Sequence, residues 1–154
     1  QRIHGVAHHH IGIAEEGLEG ALILHVVDAH VETLAILAQR LGPYRGIVHS
    51  FSGNLEQARA YLDLGFKISI SGGIASRKTG KAFRKLRETV LNLSPSEFVL
   101  ETDLPDQPPE SLKGKLNEPG SLIQLANQIG EWRGEDPVLV LTRASKIARE
   151  LFIS

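Results

Sequence analysis

Hydrophobic and polar positions along the chain switch repeatedly between two periods. Leu22 to His25 is a near-continuous apolar run closed by a histidine, and Gly46 to His49 is a second run closed the same way. Phe66 to Ser71 alternates apolar and polar residues before Gly72-Gly73, and Phe98 to Glu101 is a fourth short apolar run. Runs of this length, with these flanks, predict strands. Between them the apolar positions recur at helical spacing. A helix is predicted from Asp28 or His30 to about Leu41, burying Val31, Leu34, Ala35, Leu37, Ala38 and Leu41 and ended by Gly42-Pro43. A second runs from an Asn54 cap to Leu64, with Leu55, Ala58, Tyr61 and Leu62 inward and Gly65 as its stop. A third runs from Thr79 or Gly80 to about Leu91, with Phe83, Leu86, Val90 and Leu91 inward. After an irregular, proline-containing stretch from Asp103 to Gly120, two helices finish the chain, roughly Pro119 to Trp132 and Asp136 to Phe152.

Strands alternating with helices define an α/β fold with a mainly parallel sheet and right-handed crossovers. Nothing in residues 21–154 reads as a linker, so they are taken as one domain. Residues 1–20 form an atypical N-terminal segment, in which Ile3 to Ile13 has strand character and Ala14 to Gly20 reads as a loop or one helical turn.

Parallel α/β sheets gather their chemistry at the carboxyl ends of the strands. Three apolar runs of this chain end there on residues able to bind metal: His25, His49 and, just beyond Glu101-Thr102, Asp103. Neutral imidazole nitrogen and a hard carboxylate oxygen suit a divalent ion that activates water. Each also has a plain structural alternative, a hydrogen-bonded strand-end histidine or an aspartate that caps its loop. His8 and His10 alternate across His9, which would put both on one face of a strand as a further ligand pair; the alternative is a solvated histidine-rich tip or a vector remnant. Arg77 and Lys78 follow Gly72-Gly73 closely enough to hold substrate phosphates, whereas Lys81, Arg84, Lys85 and Arg87 read as a solvated helix face.

Composition narrows this picture. At 154 residues, 42% hydrophobic and 23% charged, the chain can bury a proper core. There is no cysteine, so disulfides and thiolate metal sites are excluded and any metal must rest on His, Asp and Glu. A net charge of −1 gives no global positive field for nucleic acid, and aromatic content of 5% signals no base-stacking platform. No apolar stretch approaches bilayer-spanning length and no signal-peptide pattern opens the chain, so no membrane partner is expected and a cytoplasmic location is. The chain starts at Gln1 and holds no methionine, which suggests a processed or shortened product.

Four blocks carry a resemblance. Ile23-Leu24-His25, the stretch Gly46-Ile47-Val48-His49-Ser50-Phe51-Ser52-Gly53, Leu100-Glu101-Thr102-Asp103-Leu104-Pro105-Asp106 and Asn117-Glu118-Pro119 together resemble the TatD-type metal-dependent deoxyribonucleases. The Asp103-Leu104-Pro105-Asp106 variant looks most like the YjjV-like branch. The resemblance implies a TIM-barrel-like (β/α) hydrolase fold of the amidohydrolase superfamily, of which about the C-terminal half is evident. It implies one or two divalent metal ions (Mg, Mn or Zn) held by His25, His49 and Asp103, with DNA as the substrate. Asp103 would be the catalytic residue that binds metal and helps orient or deprotonate the attacking water. Glu101 would support the site through hydrogen bonds. The family opens with a His-x-His pair and carries a bridging Glu on a middle strand; His8 and His10 are the residues here that could replace the pair. Val27 stands where the family commonly has arginine. A half-barrel is further expected to dimerise or to join a missing N-terminal half. Two other readings stay open: a catalytically inactive half-barrel serving as a binding or assembly module, and a superfamily hydrolase with another ester or amide substrate.

Overall fold

The computed structural model describes residues 20–39, 42–75, 79–104 and 117–153. Four strands, β1 (Leu22–His25), β2 (Gly46–His49), β3 (Phe66–Ser71) and β4 (Phe98–Glu101), form one sheet in the order β1-β2-β3-β4. All three pairings are parallel, with Leu22 opposite Gly46, Gly46 opposite Phe66 and Ile68 opposite Phe98. Helices α1 (His30–Leu37), α2 (Leu55–Asp63), α3 (Gly72–Ala75) and α4 (Lys81–Asn92) occupy the connections, and α5 (Ser121–Arg133) and α6 (Pro137–Phe152) close the chain. The predicted α/β class and parallel sheet are therefore observed.

The strands divide their residues cleanly between two faces. Leu22, Leu24, Val48, Phe66, Ile68, Ile70 and Phe98 point to the helices and join one core with Ala58, Tyr61, Leu86, Val90, Leu125, Ile129 and Val140. Register places Ile23 beside Ile47, His25 beside His49, and Ser71 beside Glu101 on the opposite face. Ile23 is 53% exposed there, so that face is only partly covered by the described residues.

Local chemistry explains most element limits. Asn54 caps α2 in a full capping box: its side chain accepts from the Gln57 N–H, and the Gln57 side chain accepts from the Asn54 N–H. Asp136 caps α6 through the Val138 N–H, with Pro137 at the first helical position. Gly134, at φ 64°, ends α5 in the left-handed conformation that glycine adopts without strain. Gly46 is fixed by crowding: a Cβ built on it would lie 2.1 Å from the Leu22 carbonyl oxygen.

Three expectations change. First, α1 runs only to Leu37 and buries His30, Thr33, Ile36 and Leu37. Val31, expected inward, is 69% exposed. Leu37 and Leu34 of the expected stripe still pack inward, but His30 takes the place expected of Val31 and finds hydrogen-bond partners there, described below. Second, Gly72-Gly73 begins the short helix α3 instead of a tight loop, with the Gly73 N–H donating to Ser71 Oγ at 3.3 Å. Third, α4 turns Thr89 inward with Leu86 and Val90, while Leu91 is 42% exposed.

Candidate metal centre

The stretch from His49 to Gly53 is shaped by three residues with different tasks. Ser50 sits at φ 44°, in the left-handed region, and the chain turns sharply off the end of β2. That turn lets the Phe51 N–H donate to the Ser69 carbonyl at 3.0 Å and drives the Phe51 ring into the core, where it is 1% exposed. Gly53 then passes so near that a Cβ would lie 2.5 Å from Phe51 Cζ and 2.7 Å from Gln57 Oε1. The alternation His49, Phe51, Gly53 thus has a physical cause: one side chain at the sheet edge, one plugged into the core, and none where the loop crosses that plug.

At the edge itself, His25 and His49 are register partners, and their rings lie 5.4 Å apart between centroids, tilted by 35°. Glu101, from β4, spans back across the sheet. Its Oε2 lies 2.8 Å from His49 Nδ1, and its Oε1 accepts from the Ser50 N–H at 2.6 Å. A carboxylate can only accept, so Nδ1 carries the proton and Nε2 presents its lone pair. Nε2 faces Asp103, whose Oδ1 is 3.7 Å away. That is too long for a hydrogen bond. It is close to the roughly 3.4 Å expected between two ligands at about 2.1 Å on one tetrahedral ion. The side chains of His49, Glu101 and Asp103 are 21%, 14% and 32% exposed, which leaves the cluster open on one side. Two hydroxyls of this edge, Ser50 Oγ and Ser69 Oγ, are buried without a hydrogen-bond partner among the described residues.

Of the residues singled out from the sequence, His25, His49 and Asp103 are brought to one edge, as the strand-end reading expected. Among the described residues no group of three or more His, Cys, Asp or Glu side chains is gathered tightly enough to hold a metal by itself. His8, His10, Arg77 and Lys78 lie outside the described residues. The donor set still fits a divalent ion in kind: an imidazole with its tautomer fixed from behind, a second imidazole beside it, and a carboxylate oxygen set off at ligand spacing.

A second polar cluster adjoins this one and was missed. His30, at the start of α1, is 7% exposed. Its Nδ1 is 3.2 Å from the Tyr61 hydroxyl and its Nε2 is 3.4 Å from Ser52 Oγ. Both partners are hydroxyls that donate or accept, so either tautomer is satisfied. Burial first, and the Lys85 ammonium second, hold the His30 pKa below its usual value, against an opposing pull from Asp28. Burial likewise pushes the Tyr61 phenol up. Lys85, grouped by sequence with a solvated face, instead donates to the Ser52 carbonyl at 3.3 Å. The available signal was weak: a polar residue within an apolar helical stripe, and one lysine among four basic neighbours.

A parallel α/β sheet with helices on one face and imidazoles and carboxylates collected at its carboxyl edge has the layout of one side of a TIM-barrel-like protein. The chain belongs to the TatD related DNase family, whose model matches residues 2–153. It is 33% identical over 141 residues to the 3'-5' ssDNA/RNA exonuclease TatD of Citrobacter rodentium, covering 88% of this chain and 52% of that protein. The protein of the same name from Pectobacterium parmentieri is 33% identical over 147 residues, covering 92% and 55%. The crystal structure of YjjV, a TatD homolog from Escherichia coli K12, superposes with a TM-score of 0.72 at 30% identity, over 86% of this chain and 49% of that one. An amidohydrolase from Saccharomyces cerevisiae gives 0.68 at 16% identity, over 86% of this chain and 53% of that one, a likeness of fold alone. The chain spans about half the length of the curated relatives it matches.

Proposed function

We propose that this chain supplies the His25, His49 and Asp103 side of a divalent-metal site that hydrolyses phosphodiester bonds in single-stranded nucleic acid. The observation that carries the proposal is the 3.7 Å separation of His49 Nε2 and Asp103 Oδ1, a spacing suited to a shared cation. Relatives named as exonucleases on single-stranded DNA and RNA support the substrate class.

When bound, one or two such ions supply positive charge to a phosphate and make water acidic enough to attack near neutral pH. The protein's own residues do the rest. Glu101 holds the Nδ1 proton of His49 and thereby keeps Nε2 basic. Asp103 orients the attacking water and accepts its proton. In this proposal His8 and His10 complete the ligand set, Arg77 and Lys78 bind nonbridging phosphate oxygens, and a further half-barrel, from a second copy or from more of the polypeptide, covers the exposed sheet face.

The test is cleavage of a 3'-labelled single-stranded oligonucleotide with added Mg, Mn or Zn. His49→Ala and Asp103→Ala should each abolish metal-dependent cleavage. Cleavage that survives in both variants rules the proposal out.

A further inference from the structure

A cavity of about 290 Å³ opens beside the candidate metal centre, between the start of α1, the loop after β2 and the flanks of α2 and α4. Asp28, Glu32, Ser52, Gln57, Lys85 and the exposed Val31 line it, together with His30. Asp28 lies three residues beyond His25, and Ser52 three beyond His49, so the cavity and the centre share one sheet edge.

Its chemistry is selective. Two carboxylates face one ammonium, and His30, buried and held below its usual pKa, adds no charge near neutral pH. That balance disfavours a phosphate in the cavity. The Lys85 ammonium, in turn, disfavours a metal ion. What fits is a neutral group offering N–H donors to Asp28 or Glu32 and an acceptor to the remaining protons of Lys85, one of which already goes to the Ser52 carbonyl. Val31, 69% exposed, adds an apolar wall suited to the face of a flat ring. The volume is at the low end for small-molecule sites and suits one base, not an oligomer.

We infer that this cavity receives the base of the nucleotide adjoining the scissile phosphate and favours bases with an exocyclic amine, which a carboxylate accepts from. The inference rests on the phosphodiesterase reading for what lies next door, but its test does not require cleavage. Binding of dCMP, dAMP, dTMP and 2-deoxyribose 5-phosphate to the full chain is measured by calorimetry in excess EDTA. dCMP and dAMP should bind about tenfold more tightly than dTMP, which has no exocyclic amine, and 2-deoxyribose 5-phosphate should bind most weakly. Asp28→Asn combined with Glu32→Gln should shrink the dCMP-to-dTMP gap to less than about threefold, and Lys85→Ala should weaken all three nucleotides. Equal affinity for the four probes, no binding of any of them, or a gap untouched by the double change Asp28→Asn with Glu32→Gln overturns the inference. A failed cleavage assay beside intact base discrimination would reject the phosphodiesterase reading alone.

Discussion

One carboxylate joins two consecutive residues of the strand-end turn: Glu101 Oε2 meets His49 Nδ1 at 2.8 Å, and Glu101 Oε1 takes the Ser50 N–H at 2.6 Å. The pair fixes the imidazole's tautomer and holds the turn at φ 44° in place. Glu101→Ala should therefore weaken metal binding by about 10- to 100-fold while the fold persists. Calorimetry with Mn, alongside a far-UV spectrum, checks this; an unchanged affinity in a folded variant would mean that the contact does not position His49.

His30 predicts a pH dependence of stability. Its folded-state pKa lies below the unfolded value of 6.5. Below 6.5 the unfolded chain takes up a proton that the folded protein resists. Stability from this group is thus full above 6.5 and declines as the pH falls toward the folded pKa. Urea denaturation of the natural chain and of His30→Gln, at pH 5.5 and 7.5, should show a smaller pH difference in the variant.

The Tyr61 hydroxyl completes the same cluster from α2. Tyr61→Phe leaves His30 Nδ1 without its hydrogen-bond partner inside the core, and should cost about 1 kcal/mol in the same urea measurement.

Gly46 and Gly53 separate backbone crowding from side-chain crowding. At Gly46 the obstacle is the Leu22 carbonyl of the paired strand, which cannot move without opening the β1–β2 register. At Gly53 it is the Phe51 ring and the end of the Gln57 side chain. Gly46→Ala should lower stability by about 3 kcal/mol, and Gly53→Ala by less, about 1 to 2 kcal/mol. Equal losses would show that the Phe51 ring is as immovable as the strand pair.

Much of this arrangement is legible in the amino-acid sequence. Strand ends at His25, His49 and Glu101 follow from short apolar runs bounded by turn signals, and the Asn54 cap follows from residue type alone. The buried side of α1 was legible only in part: Leu37 is buried and Leu34 packs against the core as expected, but the burial of His30, Thr33 and Ile36 was not foreseen. A stripe of Val31, Leu34 and Ala35 satisfies the helical period, but hydrogen bonds from His30 to Tyr61 and Ser52 come from residues 31 and 22 positions away. Periodicity carries no information about such contacts. Lys85 was misread for the same reason: its partner is a carbonyl 33 residues back. The Glu101–His49 bond crosses from β4 to β2 past the intervening β3, a relationship that only the strand order β1-β2-β3-β4 reveals.

If His49 and Asp103 share a divalent ion, paramagnetic titration reads it at the residues themselves. Substoichiometric Mn, added to the isotopically labelled full chain, should broaden the resonances of His25, His49 and Asp103 before any others, and Asp103→Ala should remove that early broadening. Broadening confined to other carboxylates, or first broadening at His25 and His49 that persists unchanged in Asp103→Ala, would contradict it.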